Sequence, residues 1–146
     1  MQIVDLFALK LPEGWYDHDP TVRNRGDFAL WGGHGAEGLA LVYFELEPGH
    51  RLGRHTDSAE EVLLVLDGEV EASVGEEQAH LSRGAAAVVP ELVPHDVSNV
   101  GASTARVVGF FPRPAVVATF EAPMQPFGER VFSTPDEATN GAHASA

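Results

Sequence analysis

The chain has no cysteine. That excludes disulfides, thiolate metal ligands and cysteine nucleophiles. Basic residues are sparse: 9 Lys and Arg stand against 22 Asp and Glu, giving a net charge of −13. They are scattered, with no cluster and no interleaving with aromatics. Binding phosphates demands a basic face, so neither nucleic acid nor an anionic membrane is an expected partner. The acidity reads as a source of solubility. No apolar run approaches the ~20 residues of a membrane-spanning helix. The start, Met1-Gln2-Ile3-Val4-Asp5, lacks a basic region, and Asp5 interrupts its apolar run. No signal peptide is therefore expected, and the expected location is the cytoplasm. A sustained i, i+3, i+4, i+7 pattern is missing, and so is any internal repeat.

Short β-type runs are present instead. With 146 residues, 44% hydrophobic and 21% charged, the chain has the size and balance of one globular domain. Residues 3–11 alternate weakly and predict either a short first strand or an arm exchanged between two copies. Strand character follows at 28–31, 39–46, 62–66, 69–74, 78–81, 85–89, 95–97 and 105–111, with 116–120 as a last strand or edge. Asp67-Gly68 carries a tight-hairpin signal. Turn signals recur every eight to twelve residues or so, the pattern of a β-sandwich or barrel. From Ser133 the composition shifts to Ala, Thr, Ser, Asn and Gly. The expectation is one all-β domain over 1–132 and a disordered tail over 133–146.

One stretch organises the rest. Residues 49–68 join a polar half, with His55, Asp57, Glu60 and Glu61, to an apolar half over 62–66. His55, Asp57 and Glu61 share one parity, so an extended chain projects them to one face. Imidazole and carboxylates converging on a face can hold a divalent metal. Glu61 also directly precedes five apolar residues, and a carboxylate at the mouth of a core needs a partner. Glu60, of opposite parity, is expected in solvent. A second stretch, 84–99, carries the single histidine His95 after two prolines in an apolar run.

Together the two stretches resemble the cupin superfamily. Its first motif runs Gly, five residues, His-x-His, three or four residues, Glu, six residues, Gly. Here Gly49, His55, Asp57, Glu61 and Gly68 hold those places. Its second motif runs Gly, five residues, Pro-x-Gly, two residues, His, three residues, Asn. Here Gly84, Pro90, Leu92, His95 and Asn99 hold them. Asp57 replaces a histidine, and Leu92 replaces a turn glycine. The resemblance implies a small cupin barrel, a double-stranded β-helix of jelly-roll type.

It also implies a divalent transition metal (Fe, Mn, Ni, Cu or Zn) held by His55, Asp57, Glu61 and His95. Without Asp57 the set is two imidazoles and one carboxylate, the ligand type of non-haem Fe(II) oxygenases. With it, two carboxylates suit a harder ion such as Mn²⁺. Asp57 either ligates directly, or orients a ligand or water, or marks a site that has lost its metal. Trp31, Phe44 and Phe110 are candidates for an apolar pocket around the metal, with membership of the core as the alternative. His18, His34, His50, His80 and His143 fall in turns, at opposite parity or in the tail, and read as structural or solvent-facing. The expected function is a small metal-dependent enzyme with oxygenase-like chemistry on a small aromatic or oxygenated molecule. The rivals are a non-catalytic small-molecule-binding cupin and a metal-dependent isomerase or lyase. A homodimer is expected from the resemblance.

Overall fold

The computed structural model of the chain describes residues 1–134. Turns divide it into β1 (Glu13–Trp15), β2 (Arg23–Leu30), β3 (Ala40–Leu46), β4 (His55–Asp57), β5 (Glu61–Asp67) and β6 (Glu69–Val74). Then come β7 (Glu77–Ser82), β8 (Ala86–Val89), β9 (His95–Asn99), β10 (Ala105–Phe111), β11 (Val117–Met124) and β12 (Glu129–Ser133). They form two six-stranded sheets, ordered β1-β2-β3-β10-β5-β8 and β12-β11-β4-β9-β6-β7. Pairing between the strands is antiparallel in both. From β3 onward the chain passes back and forth between the sheets, which winds it into the expected jelly-roll barrel. Among the described residues no helix is long and apolar enough to cross a membrane.

The core lies between the sheets. Phe44, Leu46, Leu63, Val65 and Val107 enter from the first sheet and meet Val70 and Val97 of the second. Fully burying such a side chain is worth about 1.5–3 kcal/mol over leaving it exposed. A one-residue slip would turn a strand's whole inward set to solvent, so each register is firmly specified.

The first sheet carries apolar residues on its outer face too, and the N-terminal arm covers part of it. Val4, Leu6, Leu9 and Leu11 pack over Tyr43 and Val108. The arm is not a strand: it forms a 3-10 turn at Leu6–Ala8, where Asp5 Oδ1 accepts from the Phe7 amide at 3.1 Å. It lies along its own chain.

Asp67-Gly68 is not a hairpin turn. β5 and β6 belong to different sheets, and Gly68 (φ +84°) makes the corner between them. A Cβ there would come within 2.9 Å of Ala105 Cα, so the close approach also demands glycine. Leu92, at the place of the motif's turn glycine, keeps a left-handed backbone (φ 61°). The turn survives the substitution, and its amide donates to the Asp57 carbonyl at 3.0 Å. The sequence pattern does not announce β12. Ser133 closes that strand and Thr134 is buried, its hydroxyl accepting from the Val116 amide at 2.8 Å. The rest of the expected tail lies outside the described residues.

Candidate metal centre

β4 and β9 are neighbours, and their register sets His55 opposite His95. Both side chains point into the barrel. His55 Nδ1 lies 2.7 Å from the Gly53 carbonyl, and His95 Nδ1 lies 2.9 Å from the Val93 carbonyl. A carbonyl can only accept, so each Nδ1 carries the proton. When neutral, each ring turns the lone pair of Nε2 toward the interior. Asp57, two residues after His55 on the same strand, faces the same way.

The chain then crosses to the other sheet over 58–60, and Glu61 opens β5. It arrives at the same interior because parity is kept through the crossing. Its carboxylate occupies the space left by Gly109 of β10, whose own register partner is Leu63. A Cβ on Gly109 would overlap Glu61 Oε2 and stand 2.9 Å from Glu61 Cδ. An interior strand glycine here marks a close approach.

The four side chains are almost wholly buried, His95 most of all. Asp57 Oδ2 lies 3.0 Å from His95 Nε2 and 3.6 Å from His55 Nε2, and Glu61 Oε1 lies 3.4 Å from His95 Nε2. One donor atom each from His55, Asp57 and His95 falls within 4.8 Å of the others. Despite the 3.0 Å approach, neither Asp57 Oδ2 nor His95 Nε2 has an aligned hydrogen-bond partner. Charge faces charge there without a hydrogen bond. Buried polar atoms are rarely left so. Two orphaned donors aimed at one point, beside a second imidazole and a second carboxylate, fit a divalent transition metal.

The electrostatics agree. Burial pushes the Asp57 carboxyl up, but His55 and His95 outweigh it and hold it at about 2. Burial opposes charge on His95, yet Asp57 and Glu61 outweigh it and raise the ring to about 10. Burial also raises Glu61, and the Asp57 charge adds to that against His95. A proton on His95 therefore competes with a metal for Nε2.

The expected pocket residues divide. Trp31 is buried against Ala40, Ala59, Phe111 and Val116, with its ring folded over Gly33. Phe44 is core, packed with Leu46, Leu63 and Val107. Phe110 does not line the interior. Gly109 and Phe111 point inward, so Phe110 faces outward and is 39% exposed. Glu60 is exposed, as its parity predicts. His18 and His80 are exposed and His34 and His50 partly so, while His143 lies outside the described residues.

The residue that sequence reasoning missed is Phe120. Its ring stacks on His55 at 4.6 Å and 23°. Only the β11–β4 pairing, which sets Phe120 opposite His55, reveals it. The open surface cleft of about 550 Å³ beside Phe7, Asp67, Arg83 and Arg106 lies outside the barrel, away from the histidines.

Fold and site together define a small barrel with a buried two-histidine, two-carboxylate centre. Residues 42–111 match the family described as the cupin domain. No curated protein matches the sequence. Among solved structures, the chain resembles a putative sugar phosphate isomerase from Acidithiobacillus ferrooxidans (19% identity, TM-score 0.59, 79% of this chain and 76% of that one). It also resembles the polyketide cyclase RemF from Streptomyces resistomycificus (21% identity, TM-score 0.60, 80% and 83%). An oxalate decarboxylase from Lactobacillus farciminis is similar over 71% of this chain (16% identity, TM-score 0.61), which spans only 31% of that one. At these identities the likeness is one of fold.

Proposed function

We propose that the protein is a metal-dependent cupin enzyme with oxygenase-like chemistry on a small aromatic or oxygenated organic molecule. The observation that carries the reading is the convergence of His55, Asp57 and His95, with Asp57 Oδ2 and His95 Nε2 left without partners. These residues and Glu61 would hold a divalent transition metal. When bound, such a metal supplies Lewis acidity and, if redox-active, dioxygen activation.

The protein's own part is positioning and exclusion. The Gly53 and Val93 carbonyls fix the two rings, and Phe120 covers one face of His55. The deep burial of all four side chains keeps bulk water from the centre. The second carboxylate favours one rival specifically. Two anionic oxygen ligands suit a hard ion and a redox-neutral isomerase or lyase. That alternative consumes no oxygen and works with a redox-inert metal.

A cytoplasmic homodimer is part of the proposal. Phe110, Val62 and Val88 stand in register across β10, β5 and β8 on the outer face of the first sheet, 39%, 38% and 59% exposed. An apolar row on so acidic a chain supports pairing with a second copy. Light scattering should give twice the chain mass, and a monomer at micromolar concentration would refute this.

The test of the enzyme reading is elemental analysis of untagged protein, followed by oxygen uptake with a panel of small aromatic and oxygenated acids. Near-stoichiometric iron, manganese, nickel or copper with substrate-dependent uptake supports it. Metal with turnover but no uptake moves the reading to the isomerase or lyase. No metal, even after anaerobic addition of Fe²⁺ or Mn²⁺, overturns it.

A further inference from the structure

On the far side of β9 from the centre lies a buried charge that the ligand set does not use. Asp96 follows His95 in the chain and faces the opposite way. Its Oδ1 accepts from the Gly53 amide at 2.9 Å and from the Val97 amide at 2.8 Å. Its Oδ2 takes Arg51 NH1 at 2.5 Å. Arg51 is itself braced, through NH2 to Asp19 Oδ2 at 2.6 Å and through Nε to Thr21 Oγ1 at 3.0 Å.

Gly53, which Asp96 grips, has a left-handed backbone (φ +104°), so only glycine adopts it without strain. A Cβ there would stand 3.2 Å from Val22 and 3.3 Å from Phe120. Residue 53 is thus held by a carboxylate on its amide and by packing on its flank. Its carbonyl is the one that holds His55 Nδ1.

We infer that Asp96, braced by Arg51, is a positioning residue that fixes the seat of the His55 imidazole through Gly53. The inference rests on the metal-centre reading and adds a residue to it. Taking a carboxylate and a guanidinium out of water is unfavourable, and a buried pair is weak evidence of stability for its own sake. What the pair achieves is geometric. It ties the loop before β4 to the strand bearing His95, so the two imidazoles keep one relative placement. Outer partners of metal-bound histidines act this way, and their loss weakens metal binding about 10–100-fold.

The test is titration of the metal-stripped full chain with Co²⁺, reading dissociation constant and visible absorption spectrum together. Asp96→Ala should weaken Co²⁺ binding about 10–100-fold and alter the spectrum. Asp96→Asn keeps an oxygen for the Gly53 amide but loses the charge facing Arg51. It should shift both readouts in the same direction by less, and it carries the test if the alanine variant does not fold. Tyr43→Phe is the structural control, a buried polar change on the other sheet. It should lower the melting temperature and leave affinity and spectrum unchanged. If both Asp96 variants bind Co²⁺ with wild-type affinity and spectrum, the positioning role is wrong and the metal centre stands. If the wild type binds no Co²⁺, the metal centre itself is wrong and the positioning role falls with it.

Discussion

On the outer face of the first sheet, Tyr43 donates to Glu45 Oε2 at 2.7 Å, and Arg106 NH1 reaches the same oxygen at 2.7 Å. Arg25 NH2 bridges Glu45 at 3.0 Å and Glu47 at 2.8 Å, and the Thr104 hydroxyl donates to Glu47 at 2.9 Å. Each charge there has its opposite within reach. Inside the barrel, His55, Asp57, Glu61 and His95 are more deeply buried, yet two of their atoms have no partner. The first group is closed: adding a ligand would break bonds already made. The second is open, and a cation would complete it. Both groups are polar and at least partly shielded from water, so neither property marks function. Two unpartnered atoms converging on one point do, because each unpartnered buried polar atom costs on the order of 1–3 kcal/mol and folding alone gains nothing from keeping the pair.

Predictions can break this contrast or sharpen it. The largest effect is expected from His95→Ala, which removes the ligand nearest both carboxylates. Metal retained after gel filtration should fall from near one per chain to near none, while Glu45→Gln in the closed group leaves it unchanged. Equal loss in both would erase the distinction. Next comes Gly109→Ala. The added Cβ overlaps the Glu61 carboxylate and presses Val42 Cγ1 at 2.9 Å, so Glu61 must leave its seat. We expect about tenfold weaker metal binding and a stability loss of about 1–3 kcal/mol from overpacking, read by titration and by urea denaturation. Unchanged metal affinity would remove Glu61 from the ligand set.

The third prediction concerns pH. In metal-free protein His95 is raised from 6.5 to about 10, so its stabilisation is full below pH 6.5 and is lost as pH rises through 10. Asp57 is lowered from 3.8 to about 2, so its contribution is full above pH 3.8 and is lost as pH falls through 2. Glu61 is raised above its ordinary value, so its contribution also fades as pH rises, and the centre should stabilise the metal-free fold most under mildly acidic conditions, above pH 3.8 and below pH 6.5. Metal affinity should run the other way and tighten as pH rises toward 10, because the metal must displace the His95 proton. Melting curves with and without added metal across pH 4–9 would show it, and parallel curves would contradict it. The smallest effect is expected from Leu92→Gly. A left-handed leucine is strained, and its side chain is 61% exposed, so little packing is lost. Relief of strain should exceed the entropic cost of glycine and add about 0.5–1 kcal/mol with metal binding unchanged. A loss of stability would mean that the leucine packs more than it strains.

What the sequence made legible was whatever lay close along the chain. His55, Asp57, Glu61 and the run after them share one stretch, and their parity survives the crossing between sheets. His95 came from a second stretch with its own spacing. Gly109, Phe120 and the Asp96–Arg51 pair were not legible as site residues, because each acts on a partner distant in sequence and only strand pairing brings them together. Phe110 was assigned to the wrong face for a related reason. Val108 and Phe110 make the outer side of β10 apolar beside its inner side, and alternation then carries no sign of which side is inside. Asp67-Gly68 kept its glycine requirement but not its partner strand, because a corner between sheets and a hairpin both need a left-handed residue.

The most direct test of the central claim is the metal content of Asp57→Ala against Tyr43→Phe, each purified untagged beside wild type and exposed to equal Mn²⁺ or Fe²⁺ under anaerobic conditions. The account predicts near-stoichiometric metal in wild type and in Tyr43→Phe, although the latter loses about 1.5 kcal/mol of stability with its hydrogen bonds to charged groups. It predicts none in Asp57→Ala. Metal retained by Asp57→Ala at the wild-type level would show that the unpartnered carboxylate is not a ligand, and the account of the centre would fail.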